Sequence, residues 1–151
     1  MATFGRSKWS PLFAAACILA VLSLGASGCS VSFCAGSGCD SGKIFFGKHY
    51  KQSGGSISVV DKSSSFKLGE SVAMVANLNQ NAGSTNLTLK VSHGGKSQSF
   101  PYHVTSTKDN IEASLFSPAT LASLGVTSAG SYTFEMLRGS KQLAKGSMTE
   151  S

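Results

Sequence analysis

Residues 130–144, GSYTFEMLRGSKQLA, contain the pattern that decides the fold class. Two runs of strand-forming residues, 131–138 and 141–148, are separated by only Gly139 and Ser140. Glycine at the first position of a two-residue connection matches a type II′ turn, which joins antiparallel strands. The stretch therefore predicts a β-hairpin near the carboxyl end of the chain.

Further strand-like runs precede this hairpin at even spacing. SVAMVANL (71–78) carries apolar residues on both of its alternating faces, which predicts a central strand. NLTLKV (86–91) alternates cleanly, and Pro101 within 96–104 indicates an edge strand or a bulge because proline cannot donate to a ladder. The other predicted strands are 43–50, 56–61 and 110–116.

Glycine pairs and one short helical segment separate the runs. Gly54-Gly55 and Gly94-Gly95 predict chain reversals. Ser117 as the cap, Pro118 at the first helical position and a terminal Gly125 predict one helical turn linking two sheets. Seven or eight strands without a long helix predict an all-β domain, a β-sandwich before anything else, with a small closed barrel as the alternative.

Two stretches of this domain resemble immunoglobulin-like domains of bacterial envelope proteins. They are the hairpin at residues 130–144 and the segment from Phe66 to Val72. The resemblance implies a single immunoglobulin-like antiparallel β-sandwich over residues 43–151. The domain lacks the Cys…Trp…Cys pattern of a conventional antibody-type domain, since the one tryptophan of the chain is Trp9.

The first residues have the three parts of a secretory signal peptide. MATFGRSKWS (1–10) carries two positive charges, and PLFAAACILAVLSL (11–24) is an apolar run of about fourteen residues, too short for a comfortable membrane span. Ala26-Ser27-Gly28-Cys29 then resembles the lipobox of bacterial lipoproteins. That family implies a cleaved signal peptide helix at 1–28, a lipid on Cys29, and a location in the bacterial cell envelope, anchored by lipid and facing the periplasm or exterior.

The remaining cysteines lie in a short tether between the anchor and the domain. Residues 29–42 are rich in serine and glycine, which is typical of a flexible linker. Residues 30–42 span about 43 Å when fully extended at roughly 3.3 Å per residue. Cys34 and Cys39 form an even pair that could close a disulfide outside the cytoplasm. A metal site is disfavoured because zinc sites use closer cysteine pairs with further partners.

The charge pattern bounds the class of partner. The net charge of +6 includes Arg6 and Lys8 of the signal peptide, and the remainder has eleven basic and seven acidic residues. The lysines are scattered singly and are not interleaved with aromatic residues, so the sequence predicts no nucleic-acid partner. A membrane contact through the lipid anchor and an envelope protein or glycan partner are expected instead.

No motif in the sequence predicts catalysis or a cofactor. The glutamates are isolated, and no Gly-x-Ser-x-Gly elbow is present. His49, His93 and His103 lack the spacing of metal ligands, so no metal site is predicted. We therefore expect a protein that is not an enzyme and that holds no cofactor.

Phe100 and Tyr102 are the candidate residues for binding a partner. Alternation places both on the same face of the proline-marked strand, where they could stack on a partner, although packing in the core is the alternative role. The sequence thus predicts a lipid-anchored envelope module that binds a partner or serves as an accessory subunit. The alternatives are a periplasmic inhibitor of a hydrolase and a metal-handling protein using the histidines and methionines.

Overall fold

The computed structural model of the protein describes residues 40–151, which form an all-β domain with one short helix. The elements in chain order are β1 (Lys43–Ser53), β2 (Ser56–Lys62), β3 (Ser65–Phe66), β4 (Val72–Asn77), β5 (Asn86–His93), β6 (Lys96–His103), β7 (Ile111–Phe116), α1 (Pro118–Ser123), β8 (Gly130–Arg138) and β9 (Lys141–Glu150). Within these residues no helix has the length and apolar character needed to cross a membrane.

The strands form two layers of one folded-over sheet. The order along the sheet is β6-β5-β8-β9-β1-β4-β7, with β2 paired to β1 and β3 paired to β9. The layers β6-β5-β8-β9 and β1-β4-β7 meet where β9 passes β1 in parallel, and only Lys43 and Lys145 are in register there. We call this junction between β1 and β9 the seam.

The core fills the space between the two layers. Val72, Met74 and Ala76 alternate along β4 and are fully buried, as the pattern of 71–78 predicted for a central strand. In the other layer, Phe134 of β8 lies against Phe46 of β1 with ring centroids 5.1 Å apart. The two layers therefore bury their facing apolar side chains against each other, which is the main source of stability of a sandwich.

The predicted turn chemistry is present at the hairpins. Gly139 has φ +59, and Arg138 pairs with Lys141 across it, in agreement with the predicted type II′ turn. Gly94 and Gly95 both have positive φ, which is the type I′ geometry of a two-residue hairpin. The helix α1 begins after Ser117, whose side chain accepts a hydrogen bond from the backbone of Thr120, as the predicted cap requires.

Strand order and a tyrosine corner identify the sandwich as immunoglobulin-like. β1, β4 and β7 lie in one layer and β5, β8 and β9 in the other, matching strands A, B, E and C, F, G of immunoglobulin domains. Tyr132, 0 % exposed near the start of β8, donates a hydrogen bond to the carbonyl of Ser128 at 2.8 Å. This return of a tyrosine hydroxyl to the backbone just upstream is a hallmark of the fold.

A close approach of two backbones closes the sandwich at the seam. A Cβ atom on Gly146 of β9 would lie 2.8 Å from Cβ and 2.9 Å from the carbonyl carbon of Ile44 in β1. The backbone N–H of Lys145 donates to the carbonyl of Gly42 at 2.9 Å, so the strands are also joined by a hydrogen bond. Only glycine leaves room for this contact.

The structure differs from the predicted strands in one added strand and in three that are at least two residues longer. β3 is a two-residue strand that no sequence pattern indicated, and it exists because Ser65 and Phe66 pair with the end of β9. β1, β5 and β9 each extend at least two residues beyond the predicted runs. The predicted signal peptide helix at 1–28, Cys29, Cys34 and Cys39 lie outside the described residues, and these expectations stay predictions.

The tyrosine corner leads to a stability prediction. Tyr132→Phe removes the hydroxyl that bonds to Ser128, so we expect a loss of about 1 kcal/mol in the free energy of unfolding, measured by urea denaturation followed by circular dichroism. Tyr50→Phe is the matched control, because Tyr50 is 40 % exposed and we expect a change within about 0.5 kcal/mol. Equal losses in the two variants would contradict a structural role for the corner.

Candidate binding surface

Phe100 and Tyr102, the sequence-predicted binding residues, lie on the inner face of β6. They stand opposite Leu89 and Leu87 of β5, are half-buried and pack against the core. The hydroxyl of Tyr102 lies 2.7 Å from the Ser114 hydroxyl of β7, so it bridges the two layers on the side away from the seam. The structure therefore gives both rings a packing role, and their binding of a partner stays a prediction.

Pro101 occupies a position where it costs the sheet no hydrogen bond. The backbone N–H of Val104 donates to Thr85, so even-numbered residues of β6 direct their backbone groups toward β5. The nitrogen of Pro101 consequently faces the free edge of β6, in agreement with the predicted edge strand. The missing N–H removes a donor from that edge and weakens it as a template for an added strand.

The histidines and methionines are placed in separate environments. His93 stacks on Tyr132 with ring centroids 4.3 Å apart, and His103 lies 3.1 Å from the side chain of Asn86. Met74, Met136 and Met148 are buried in the core. In the part of the chain that the structure describes, no three His, Cys, Asp or Glu side chains are grouped as metal ligands.

The most exposed side chains of β1 belong to a hairpin that extends beyond β4. Pairing of β1 with β4 ends at Gly47, whereas pairing with β2 continues to Ser53. We call residues 48–62 the hairpin arm. Every residue of β1 after Gly47 is exposed, including Tyr50. Neither this extension nor its exposure follows from local alternation, so the sequence did not indicate it as a binding surface.

The base of the arm is held by a close backbone contact. A Cβ atom on Gly47 would lie 2.6 Å from the carbonyl oxygen of Val60, so a larger residue would push β2 away. Asp61 adopts φ +52, a left-handed conformation that is uncommon for a residue other than glycine. β2 also lies close to β4 and β7. These contacts fix the direction in which the arm leaves the sandwich.

The arm carries a positive charge and an aromatic ring. Lys48, Lys51 and Lys62 stand against one acidic residue, Asp61. Ile57, Val59 and Val60 of β2 are half-buried, whereas the lysines are exposed. A tyrosine with exposed lysines is a composition suited to a partner that carries negative charge.

A shallow cleft of about 310 Å³ lies at the base of the arm, beside the seam. The ammonium of Lys62 lies 3.7 Å from the centroid of the Phe45 ring and makes no ion pair within residues 40–151. Nearby hydroxyls supply hydrogen-bonding groups above an apolar floor. The lining residues are Ile44, Phe45, Phe46, Lys62, Ser63, Ser64 and Ser147.

Two glutamates between or beside the layers have environments that disfavour their charged form. Burial, with a smaller effect of the charge on Asp109, raises the pKa of Glu112 to about 7. Burial, with a smaller effect of Glu70, also raises the pKa of Glu150, which is 3 % exposed. By contrast, hydrogen bonding to Lys90 lowers the pKa of Glu135 despite the opposing effect of its burial, and Lys145 contributes in the same direction.

Comparisons with known proteins find similarity at the level of the fold. No protein-family model matches the chain, and no curated protein matches it either. The chain is similar to an immunoglobulin-like protein from Pseudomonas aeruginosa with a TM-score of 0.44 and 17 % identity, covering 73 % of this chain and 93 % of that one.

The environment of Glu112 predicts a pH-dependent loss of stability. As pH rises from 4.5 to about 7, the unfolded chain loses this proton while the folded chain keeps it, so the free energy of unfolding falls over that window. We expect Glu112→Gln to be about 1 kcal/mol more stable than wild type at pH 8, a value reduced for partial solvation of the carboxyl group, and equally stable below pH 4.

Glu135→Gln is the control, because it should change the free energy of unfolding at neutral pH in the opposite direction. The lowered pKa of Glu135 means that its charge stabilises the folded chain above the unfolded pKa, and this stabilisation is lost as pH falls through the folded pKa. The variant should therefore be less stable than wild type at neutral pH and should converge with it in acid. Denaturation at a series of pH values checks both, and a Glu112→Gln difference that does not change with pH would contradict the burial argument.

Proposed function

We propose that this chain is a lipid-anchored protein of the bacterial cell envelope whose sandwich is a non-enzymatic binding module. The hairpin arm is its binding surface, and a protein or glycan carrying negative charge is its partner. The observation that carries the proposal is the combination of exposed Tyr50 and the lysines on a hairpin that contributes no fully buried residue to the core.

The anchor is supported by the sequence that precedes the domain. Ala26-Ser27-Gly28-Cys29 follows a charged start and a short apolar run, and a serine- and glycine-rich stretch follows Cys29. The first strand begins at Lys43. A lipid on Cys29 with a tether of this length would hold the sandwich at the membrane surface while leaving it room to reach a partner.

The difference in burial between the two halves of β1 supports the arm as the binding surface. Ile44 and Phe46 are buried in the core, whereas residues after Gly47 face solvent. None of these exposed residues belongs to the buried core, so the tyrosine and lysines among them are available for recognition. The cleft at its base adds the Lys62 ammonium and the Ser64 hydroxyl, which makes no hydrogen bond within residues 40–151. Such groups suit a carboxylate or phosphate of a partner.

The exposed hairpin also favours one second candidate, an inhibitor of an envelope hydrolase. Inhibitors of this kind insert a rigid segment into a cleft, and a two-stranded hairpin with two-residue turn Gly54-Gly55 is narrow and pre-organised. Under this alternative the same arm would contact an enzyme. Adding the purified chain to envelope hydrolases and measuring their activity tests it, and unchanged activity at saturating concentration would exclude it for the enzymes assayed.

The anchor is tested by metabolic labelling with a clickable palmitate. We expect wild type to incorporate the label and Cys29→Ala to lose it, because the thiol of Cys29 is the acceptor of the lipid. Cys17→Ala is the matched control and should keep the label, since Cys17 lies inside the apolar run of the signal. Labelling of Cys29→Ala at the wild-type level would refute the anchor without affecting the fold.

A further inference from the structure

Among the strands of residues 40–151, β7 ends its layer, and none of them pairs with its outer backbone edge. The backbone N–H of Leu78 donates to the carbonyl of Asn110, which fixes the alternation of hydrogen bonds between β4 and β7. Glu112, Ser114 and Phe116 therefore direct their backbone groups toward β4. Ile111, Ala113 and Leu115 direct theirs away from it, so the edge offers three donors and three acceptors.

The edge of β7 is less protected against pairing than the edge of β6, although its one charged side chain, Glu112, lies on the inner face. The free edge of β6 carries Pro101, whereas β7 has neither proline nor lysine between Ile111 and Phe116. Leu115 is 56 % exposed, the largest exposure among the large apolar side chains of the described domain. An intact edge beside an exposed leucine is the arrangement on which strands from another chain pair.

The sequence of β7 is complementary to itself in one antiparallel register. When Ala113 pairs with Ala113 of a second copy, Ile111 stands opposite Leu115 and Glu112 stands opposite Ser114. Every residue that directs its backbone groups outward then meets another that does so. The register joins half-buried Ile111 and exposed Leu115 in cross-strand pairs and keeps the two Glu112 carboxyl groups from facing each other directly.

An unpartnered polar atom supports the same register independently. Oε1 of Glu112 is buried and has no hydrogen-bond partner within residues 40–151. Glu112 shares the inner face of β7 with Ser114, whose hydroxyl already contacts Tyr102. In the self-paired register the Ser114 hydroxyl of the second copy comes alongside Glu112, and it supplies a partner for the carboxyl group.

We propose that two copies of this chain pair antiparallel through their β7 edges, centred on Ala113, so that the layers β1-β4-β7 of the two copies form one continuous sheet. The partner is a second copy of this chain. The pairing needs neither the lipid on Cys29 nor the hairpin arm, so it can fail or hold separately from the proposed function.

Disulfide crosslinking of the full chain in intact expressing cells, followed by detection of the chain in the whole-cell extract, tests the register. Cys34→Ser and Cys39→Ser provide the background, and the background chain without an added cysteine sets the baseline. Ala113→Cys brings two thiols to a hydrogen-bonded cross-strand pair, with Cα atoms about 5.5 Å apart, within the range of a disulfide. We expect covalent dimers of Ala113→Cys under mild oxidation.

Two further cysteine variants distinguish crosslinking in this register from crosslinking by random collision. Leu115→Cys alone should remain monomeric, because its two copies would lie about 13 Å apart along the strands. Coexpression of Leu115→Cys with Ile111→Cys should restore dimers, since these positions face each other. Equal crosslinking of Ala113→Cys and Leu115→Cys, or none of either above the baseline, would overturn the proposal.

A charge at the edge tests the energetics in the same assay. Leu115→Lys in the Ala113→Cys chain should reduce the rate of dimer formation about tenfold, because symmetry removes two cross-strand apolar pairs. Leu68→Lys is the matched control, since Leu68 is 46 % exposed in the loop after β3, away from the edge, and should leave the rate unchanged. Equal effects of the two lysines would overturn the proposal. A heterologous adduct at Ala113→Cys in place of the dimer would show that another protein's strand occupies the edge, which also overturns self-pairing.

Discussion

The close approach of β9 to β1 is the contact on which the rest of the domain depends. Gly146 faces the backbone of Ile44, and a hydrogen bond from Lys145 to Gly42 joins the strands beside it. Because the two strands pair at a single register position, the sheet can fold over at this line and bring Phe46 against Phe134. The core between the layers, and with it the stability of the domain, follows from this fold.

Closing the sandwich on one side determines which surfaces remain available. β1 belongs to the seam only up to Gly47, so its remaining length is free to form the hairpin arm with β2. The far side has no such seam, and there the Tyr102–Ser114 hydrogen bond bridges the layers. The edges of β6 and β7 consequently stay unpaired within the described domain, and only the edge of β6 is blunted by a proline.

Local sequence was sufficient for the strands and turns whose signal lies within a few residues. The alternation in 71–78 and 86–91 and the glycines of the hairpins predicted elements that the structure contains. β3 was missed because two residues have no periodicity, and their conformation depends on pairing with β9. For Phe100 and Tyr102, alternation gave the shared face but could not distinguish inside from outside, since the packing against Leu87 and Leu89 is non-local. The inward orientation of Glu112 could have been predicted from the sequence. Glu112 and Phe116 are four residues apart, so they lie on the same face of the strand at 110–116, and Phe116 is apolar.

Site-specific photo-crosslinking from the hairpin arm, in the full, membrane-anchored chain, tests most directly whether the arm is the binding surface. A benzophenone amino acid in place of Tyr50 should give an adduct with a partner that carries negative charge, and Lys51→Glu should diminish it. The same amino acid in place of Ser97, exposed on β6 of the other layer, should give none. An adduct at position 50 with an envelope hydrolase would select the inhibitor alternative. Absence of any adduct at position 50, or equal adducts at both positions, would contradict the arm as the binding surface.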